Sequence, residues 1–189
     1  MGVALAATLA FASCGNKSKN AAASESAPAA AVMEIDDVLS SAEGLTGKTI
    51  TMEGLCTHTC KHGGKKMFLM GSDDTKTLRI DAGEKIGSFP QEVVNNIVEV
   101  TGTLVEERID EALIEKMETQ YRNRMAEAHG EDVKVGCESE NNARGQKGIS
   151  TFEQRMQNYR ERIAARKAKE GKEYLSFYAF KGETYKVKQ

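Results

Sequence analysis

An α+β fold is predicted: a small antiparallel β-barrel, then a two-helix segment, then a C-terminal strand or hairpin. Three observations predict it. Short alternating runs of apolar and polar residues, bounded by turn residues, recur between Thr49 and Ile109. Two apolar stripes at i, i+4 spacing follow: Leu113, Met117, Tyr121 and Met125, then Phe152, Met156, Tyr159 and Ile163. An aromatic-rich alternating run, Tyr174 to Phe180, comes after them.

The first residues stand apart from the fold. Val3 to Phe11 is apolar but too short to span a bilayer as a helix. It leads into Phe11-Ala12-Ser13-Cys14-Gly15-Asn16. Small residues ahead of a Cys resemble the lipobox of bacterial lipoproteins. That resemblance implies a signal peptide over residues 1–13, cleavage before Cys14, and lipid on the Cys14 thiol and new amino group. The other reading is a plain secretory signal peptide with an ordinary Cys nearby. Residues 14–32 then form a tether. Its Ala, Ser, Lys and Asn bury too little to offset the entropy of ordering.

The barrel is expected within residues 33–109. Ile35, Val38 and Leu39 share a face, so Ile35 to Ala42 reads as a short helical lead-in. Leu45-Thr46-Gly47-Lys48 is a turn. Thr49 to Cys56, Met67 to Met70 and Thr77 to Ala82 are strands, the last two separated by a turn at Asp73-Asp74. Pro90 suits the start of a short helical turn. Ile97 to Ile109 is a long strand, with Gly102 marking a bend or bulge. The phrase Leu45-x-Gly47-Lys48-x-Ile50-x-Met52-x-Gly54, echoed by Ile97-Val98-Glu99-Val100-Thr101-Gly102, resembles an OB-fold over roughly residues 45–109. That resemblance implies a Greek-key barrel and says little about function.

Residues 110–189 carry the helices and the last strand. Asp110 is positioned to cap a helix from Glu111 to His129, which Gly130 ends. Residues 131–149 read as a long polar loop containing Cys137. Ser150 with Glu153 offers a capping box for the second helix, which Gly171 closes. In the last part Lys181-Gly182-Glu183 separates two strand-like runs, so a strand or hairpin packing on the barrel is expected. No other segment is apolar enough to cross a membrane.

Net charge is −2 but uneven. Residues 31–140 hold 22 acidic and 12 basic residues, whereas 141–189 hold 5 acidic and 12 basic. The asymmetry points to attraction between the two parts, to an acidic partner, or simply to solvated helix faces.

The chemistry concentrates in Cys56-Thr57-His58-Thr59-Cys60-Lys61-His62-Gly63-Gly64. Thiolate and imidazole are preferred ligands of zinc and copper. On a strand, alternate side chains share a face, so Cys56, His58, Cys60 and His62 would line up. Six residue steps span about 20 Å, however, whereas an ion holds its ligands at about 2.0–2.3 Å. Neighbouring alternates can converge; all four can do so only if the chain curls, as Gly63-Gly64 permits. Cys137 is the further donor. If Cys14 carries lipid, an odd three cysteines remain, in a compartment where disulfides form. A metal site (zinc, or copper with help from Met67 or Met70), a disulfide among Cys56, Cys60 and Cys137, reactive or redox thiols in a redox or haem-handling protein, and a purely structural strand in a module whose barrel or basic helical tail docks a protein partner all stay open. Lys61, Lys65 and Lys66 would favour thiolate in either of the chemical readings.

Other classes find less support. The barrel segment is acidic and its aromatics, Phe68 and Phe89, read as core, so no nucleic-acid partner is expected. No hydrolase motif or phosphate loop occurs. The lipobox-like start, the OB-like phrase, the Cys-Thr-His-Thr-Cys-Lys-His-Gly-Gly-Lys-Lys stretch and the late Tyr-Leu-Ser-Phe-Tyr strand together resemble small OB-fold lipoproteins of Bacteroidota. The resemblance implies an envelope location, periplasm-facing or at the surface, membrane attachment through Cys14 and a binding role; an envelope protein partner stays open. The resemblance brings no activity with it. A looser analogy is with membrane-tethered OB-fold haem chaperones, so zinc or copper is expected ahead of haem.

Overall fold

The computed structural model describes residues 31–61, 63–127 and 138–188. The signal peptide, Cys14, His62, His129, Gly130 and Cys137 lie outside them. The chain enters through β1 (Met33–Glu34), α1 (Ile35–Ser40) and α2 (Ala42–Leu45). Ile35 and Val38, one turn apart, are fully buried, and Leu39 packs beside them. β2 (Thr49–Thr59), β3 (Lys66–Met70) and β4 (Thr77–Ala82) form an antiparallel meander. A 3-10 turn, Gln91–Val93, follows Pro90, and β5 (Ile97–Ile109) returns antiparallel along β2.

The barrel is not complete at Ile109. β6 (Leu175–Lys188) is its fifth stave, parallel to β4 and antiparallel to β5, and the order β2-β3-β4-β6-β5 closes back on β2. β6 is one continuous strand rather than a hairpin. Lys181-Gly182-Glu183 is where its register against β5 shifts: Thr101 faces Thr184, while Gly102 faces Gly182. Bulge and glycine thus bend the closing seam, as expected for Gly102 and one strand further on. The physical reason for the difference from the expected appendage is closure. Without β6, facing edges of β4 and β5 would be left with unpaired backbone groups.

The helices are therefore an insertion between the fourth and fifth staves. α3 (Glu111–Glu127) is capped by Asp110, whose Oδ1 accepts from the Leu113 N–H at 2.9 Å. α5 (Phe152–Glu170) is capped by Thr151, which accepts from the Gln154 N–H at 3.2 Å, one residue on from the expected Ser150–Glu153 pair. Gly171, at φ 71°, closes it. Between them lies α4 (Glu138–Ala143), inside the stretch read as loop. Its sequence, Glu-Ser-Glu-Asn-Asn-Ala, contributes no buried residue, so no apolar period marks it.

Two apolar cores result. One fills the barrel around Met52, Leu69, Ile80, Val100, Leu104 and Phe180. The other joins the helices to the ends of β5 and β6 through Ile109, Ile114, Met156, Tyr159, Leu175 and Phe177. Much of the charge asymmetry is resolved internally. Lys147 pairs with Asp74, Arg144 with Glu107, Lys172 with Glu43 and Lys186 with Glu99.

Candidate functional site

β2 and the turn after it carry the Cys/His segment. Strict alternation would put Cys56, His58 and Cys60 on one face, and the strand pairing breaks that alternation. Cys56 faces Leu69 and His58 faces Phe68, which leaves Thr57 without an opposite residue. This extra residue is a β-bulge, and it resets the parity of the strand. Cys56 shares the barrel interior with Leu69 and is 0% exposed. Thr59, opposite Met67, is the next inward residue and is also fully buried. His58 falls on the outer face, and Cys60, half-buried, follows just past the end of β2. The His58 ring sits against Phe68, centroids 5.9 Å apart, and the Cys60 N–H donates to the Lys66 carbonyl at 2.8 Å.

The bulge corrects the one-face arrangement expected from the spacing, and it divides the thiols. Burial pushes the Cys56 thiol up to about 11, and a hydrogen bond with the His58 backbone offsets it only in part. The neighbouring lysines do not reverse this: Lys65 donates to the Gly87 carbonyl at 2.6 Å and Lys66 to Glu140 at 3.0 Å. Cys56 and Cys60 are both free. Cys60 lies just past the end of β2, four steps or about 13 Å along an extended chain from the buried Cys56, and a disulfide needs Cα atoms within about 7 Å. A Cys56–Cys60 bridge, or a redox pair made of them, does not fit this strand.

A direct prediction follows for thiol reactivity. Because the thiolate is the reacting form, iodoacetamide at pH 8 is expected to alkylate Cys60 at least about 100-fold faster than Cys56 in the folded protein after treatment with a metal chelator. Peptide mapping by mass spectrometry reads each site separately, and denaturant should equalise them. Equal native rates would mean that Cys56 does not occupy the barrel interior.

The hairpin end curls as the glycine pair suggests. Gly63 and Gly64 have φ of 81° and 60°. The Gly64 N–H donates to the Cys60 carbonyl at 3.0 Å, and the Phe89 N–H donates to the Gly64 carbonyl at 2.7 Å. A Cβ at Gly64 would stand 2.5 Å from the Phe89 carbonyl oxygen, so glycine is required where the tip rests on that loop.

The outer face beside His58 holds a cluster that the sequence does not announce. Phe89 and Phe68 are both buried as expected, Phe89 in the barrel core and Phe68, 0% exposed, on the outer face between His58 and Arg79. α4 lies along β4 on this side. Its Glu140 accepts from Arg79 at 2.7 Å, from Lys66 at 3.0 Å and from Arg144 at 3.2 Å. Arg144 continues to Glu107 at 2.7 Å. Burial alone would raise the Glu140 carboxyl, but Arg79 and Lys66 outweigh it and hold it at about 2. The only sequence signal for this cluster is the i, i+4 pair Glu140–Arg144 in an otherwise polar stretch.

Among the described residues no three His, Cys, Asp or Glu side chains converge as a metal-holding group. His58 and Cys60, both half-buried near the hairpin end, carry donor types that a borderline metal takes, whereas Cys56 is buried in the barrel. No family model matches the chain, and no curated protein matches it.

Proposed function

We propose that this is an exported, lipid-anchored binding protein, built on an OB-type barrel, that holds zinc or copper at the end of the β2–β3 hairpin. The observation that carries the reading is the Thr57 bulge. It removes Cys56 to the core and leaves His58 and Cys60 as an imidazole–thiol pair near the hairpin end, beside a glycine curl. That pair supplies the donor types that zinc and copper take. The remaining donors are expected from His62 and Cys137, the first two residues beyond Cys60 and the second adjacent to Glu138. The OB-type assignment is supported by the strand order β2-β3-β4-β6-β5, a five-stranded barrel with its helical insertion before the last strand. The envelope location and the lipid on Cys14 rest on the lipobox-like start.

The test is metal analysis of protein purified without a His tag. Near-stoichiometric zinc or copper is expected in the parent chain, retained in Cys56→Ala and reduced at least tenfold in Cys60→Ser and His58→Ala. Loss of metal in Cys56→Ala alone, or metal-free protein that takes up neither ion on titration, would sink the proposal.

A further inference from the structure

α4 reaches the barrel strands through one side chain. It contributes no buried residue, and Glu140 is the group by which it hydrogen-bonds the strands, accepting from Lys66 of β3 and Arg79 of β4. The Asn142 Oδ1 is buried in α4 with no hydrogen-bond donor among the described residues, a polar cost that the docked helix carries. A six-residue helix with no apolar anchor and an unmet acceptor belongs at the low end of local stability. Arg144, just beyond it, is fixed by other means. It pairs with Glu107 at 2.7 Å, and its carbonyl accepts from Arg162 at 2.9 Å.

The strand face beside α4 holds more than α4 uses. A row across the outer side of the sheet runs His58, Phe68, Arg79 and Ala179, on β2, β3, β4 and β6. Phe68 and Ala179 are 0% and 2% exposed, yet they belong to neither apolar core, and they flank Arg79. Lys66, two residues before Phe68 on the same strand, points to the same side. Arg79 also pairs with Asp81 at 3.2 Å, and Lys181, opposite Asp81 on β6, balances that carboxylate. Two apolar side chains thus lie among cations, and the carboxylate that Lys66 and Arg79 share comes from α4. Against Phe68 and Ala179 the helix sets no buried apolar residue of its own.

We propose that this face is a docking site for an acidic segment of a partner protein that also carries an apolar side chain, and that α4 occupies it in the free chain as an internal substitute. The incoming carboxylates take the place of Glu140 on Lys66 and Arg79, and the apolar side chain covers Phe68 and Ala179. A segment that supplies both matches the face more fully than Glu140 alone, because charge-assisted hydrogen bonds and apolar burial then act together. α4 competes with it, so the apparent affinity rises with the fraction of molecules whose Glu140 has let go. The docking needs no metal.

The test uses the full chain after treatment with a metal chelator, and fluorescence polarisation of a fluorescein-labelled peptide, Glu-Leu-Glu-Phe-Glu. Saturable one-to-one binding is expected, at least about tenfold tighter to Glu140→Gln than to the parent chain. Lys66→Glu, added to Glu140→Gln, should weaken binding by about tenfold, and the peptide Lys-Leu-Lys-Phe-Lys should bind neither chain. Bound peptide should speed exchange of the Arg144, Gly145 and Gln146 amides, whose acceptors are carbonyls of α4, and leave the β5 amides unchanged. If Glu140→Gln does not fold, Glu140→Asp decides, being one methylene shorter, with an expected gain of about threefold over the parent. Absence of saturation in the loosened variant, equal affinity for parent and variant, equal binding of the two peptides, unchanged amide exchange, or affinity unaltered by Lys66→Glu would each overturn the proposal.

Discussion

Glu140→Ala is expected to destabilise the protein by about 2–3 kcal/mol, the consequence of removing one partner from a partly buried ion cluster. The side chains of Arg79, Arg144 and Glu140 are only 16%, 15% and 13% exposed, so solvent does little to screen what is left behind. Because α4 brings no buried residue of its own, the loss should fall first on that segment. Amides of Arg144, Gly145 and Gln146, which bond carbonyls within residues 140–142, should exchange faster, well before the barrel amides of β5 do. Urea unfolding with hydrogen exchange measures both. An unchanged urea midpoint together with unchanged exchange would show that the cluster contributes nothing. Acid should act in the same direction. The Glu140 carboxyl is held at about 2 in the folded chain, below its ordinary 4.5. The ionised form is the one that folding favours, so its contribution is complete above about pH 4.5 and is lost as pH falls toward 2. By linkage that contribution is roughly 3 kcal/mol. Glu140→Gln should flatten stability against pH over that interval, and an unaltered acid slope would refute the assignment.

Gly102→Val should be at least as damaging, for a steric reason. A Cβ at Gly102 would collide with the Lys181 carbonyl oxygen and stand 2.9 Å from the Gly182 Cα, all of it backbone that cannot swing aside. The site is the register shift in the β5–β6 seam that closes the barrel. Overpacking at such a point costs about 3 kcal/mol or more, read as a fall in thermal midpoint. Gly44→Ala is the matched control. Nothing lies within 4 Å of the added Cβ in α2, so that change should be neutral or slightly stabilising. Equal behaviour of the two variants would mean that the seam is not closed as described.

What could be read from the chain, and what could not, divides along physical lines. Alternation placed β2, β4 and β5, because half-buried strands need apolar residues at every second position, and the compact apolar run Met67–Met70 placed β3, three of whose residues are buried. The i, i+4 stripes placed α3 and α5, and the Asp110 and Gly171 signals fixed two of their ends. α4 was invisible because polar contacts, not apolar periodicity, hold it. β6 was legible as a strand but not as a stave, since its partners lie on the far side of the helices. At the site, residue types were legible and their geometry was not. The Thr57 bulge has no signature in one sequence, yet it decides which thiol meets solvent. Phe68 shows the same limit: composition marks it for burial, while the pairing with His58 and Arg79 sets the face on which it is buried.

The closing strand has a consequence for how the chain reaches this state. β6 pairs with β5 across the whole helical insertion, and with β4 beyond that. Closing so long a loop is entropically costly before any contact repays it, and chains dominated by distant pairings fold slowly, in about milliseconds to seconds. The β2–β5 meander can pair early, but its open edges stay exposed until Leu175–Lys188 arrives. During that interval the unfinished barrel is the species most prone to pair with a neighbour, and the helices act as a timer on how long it remains so.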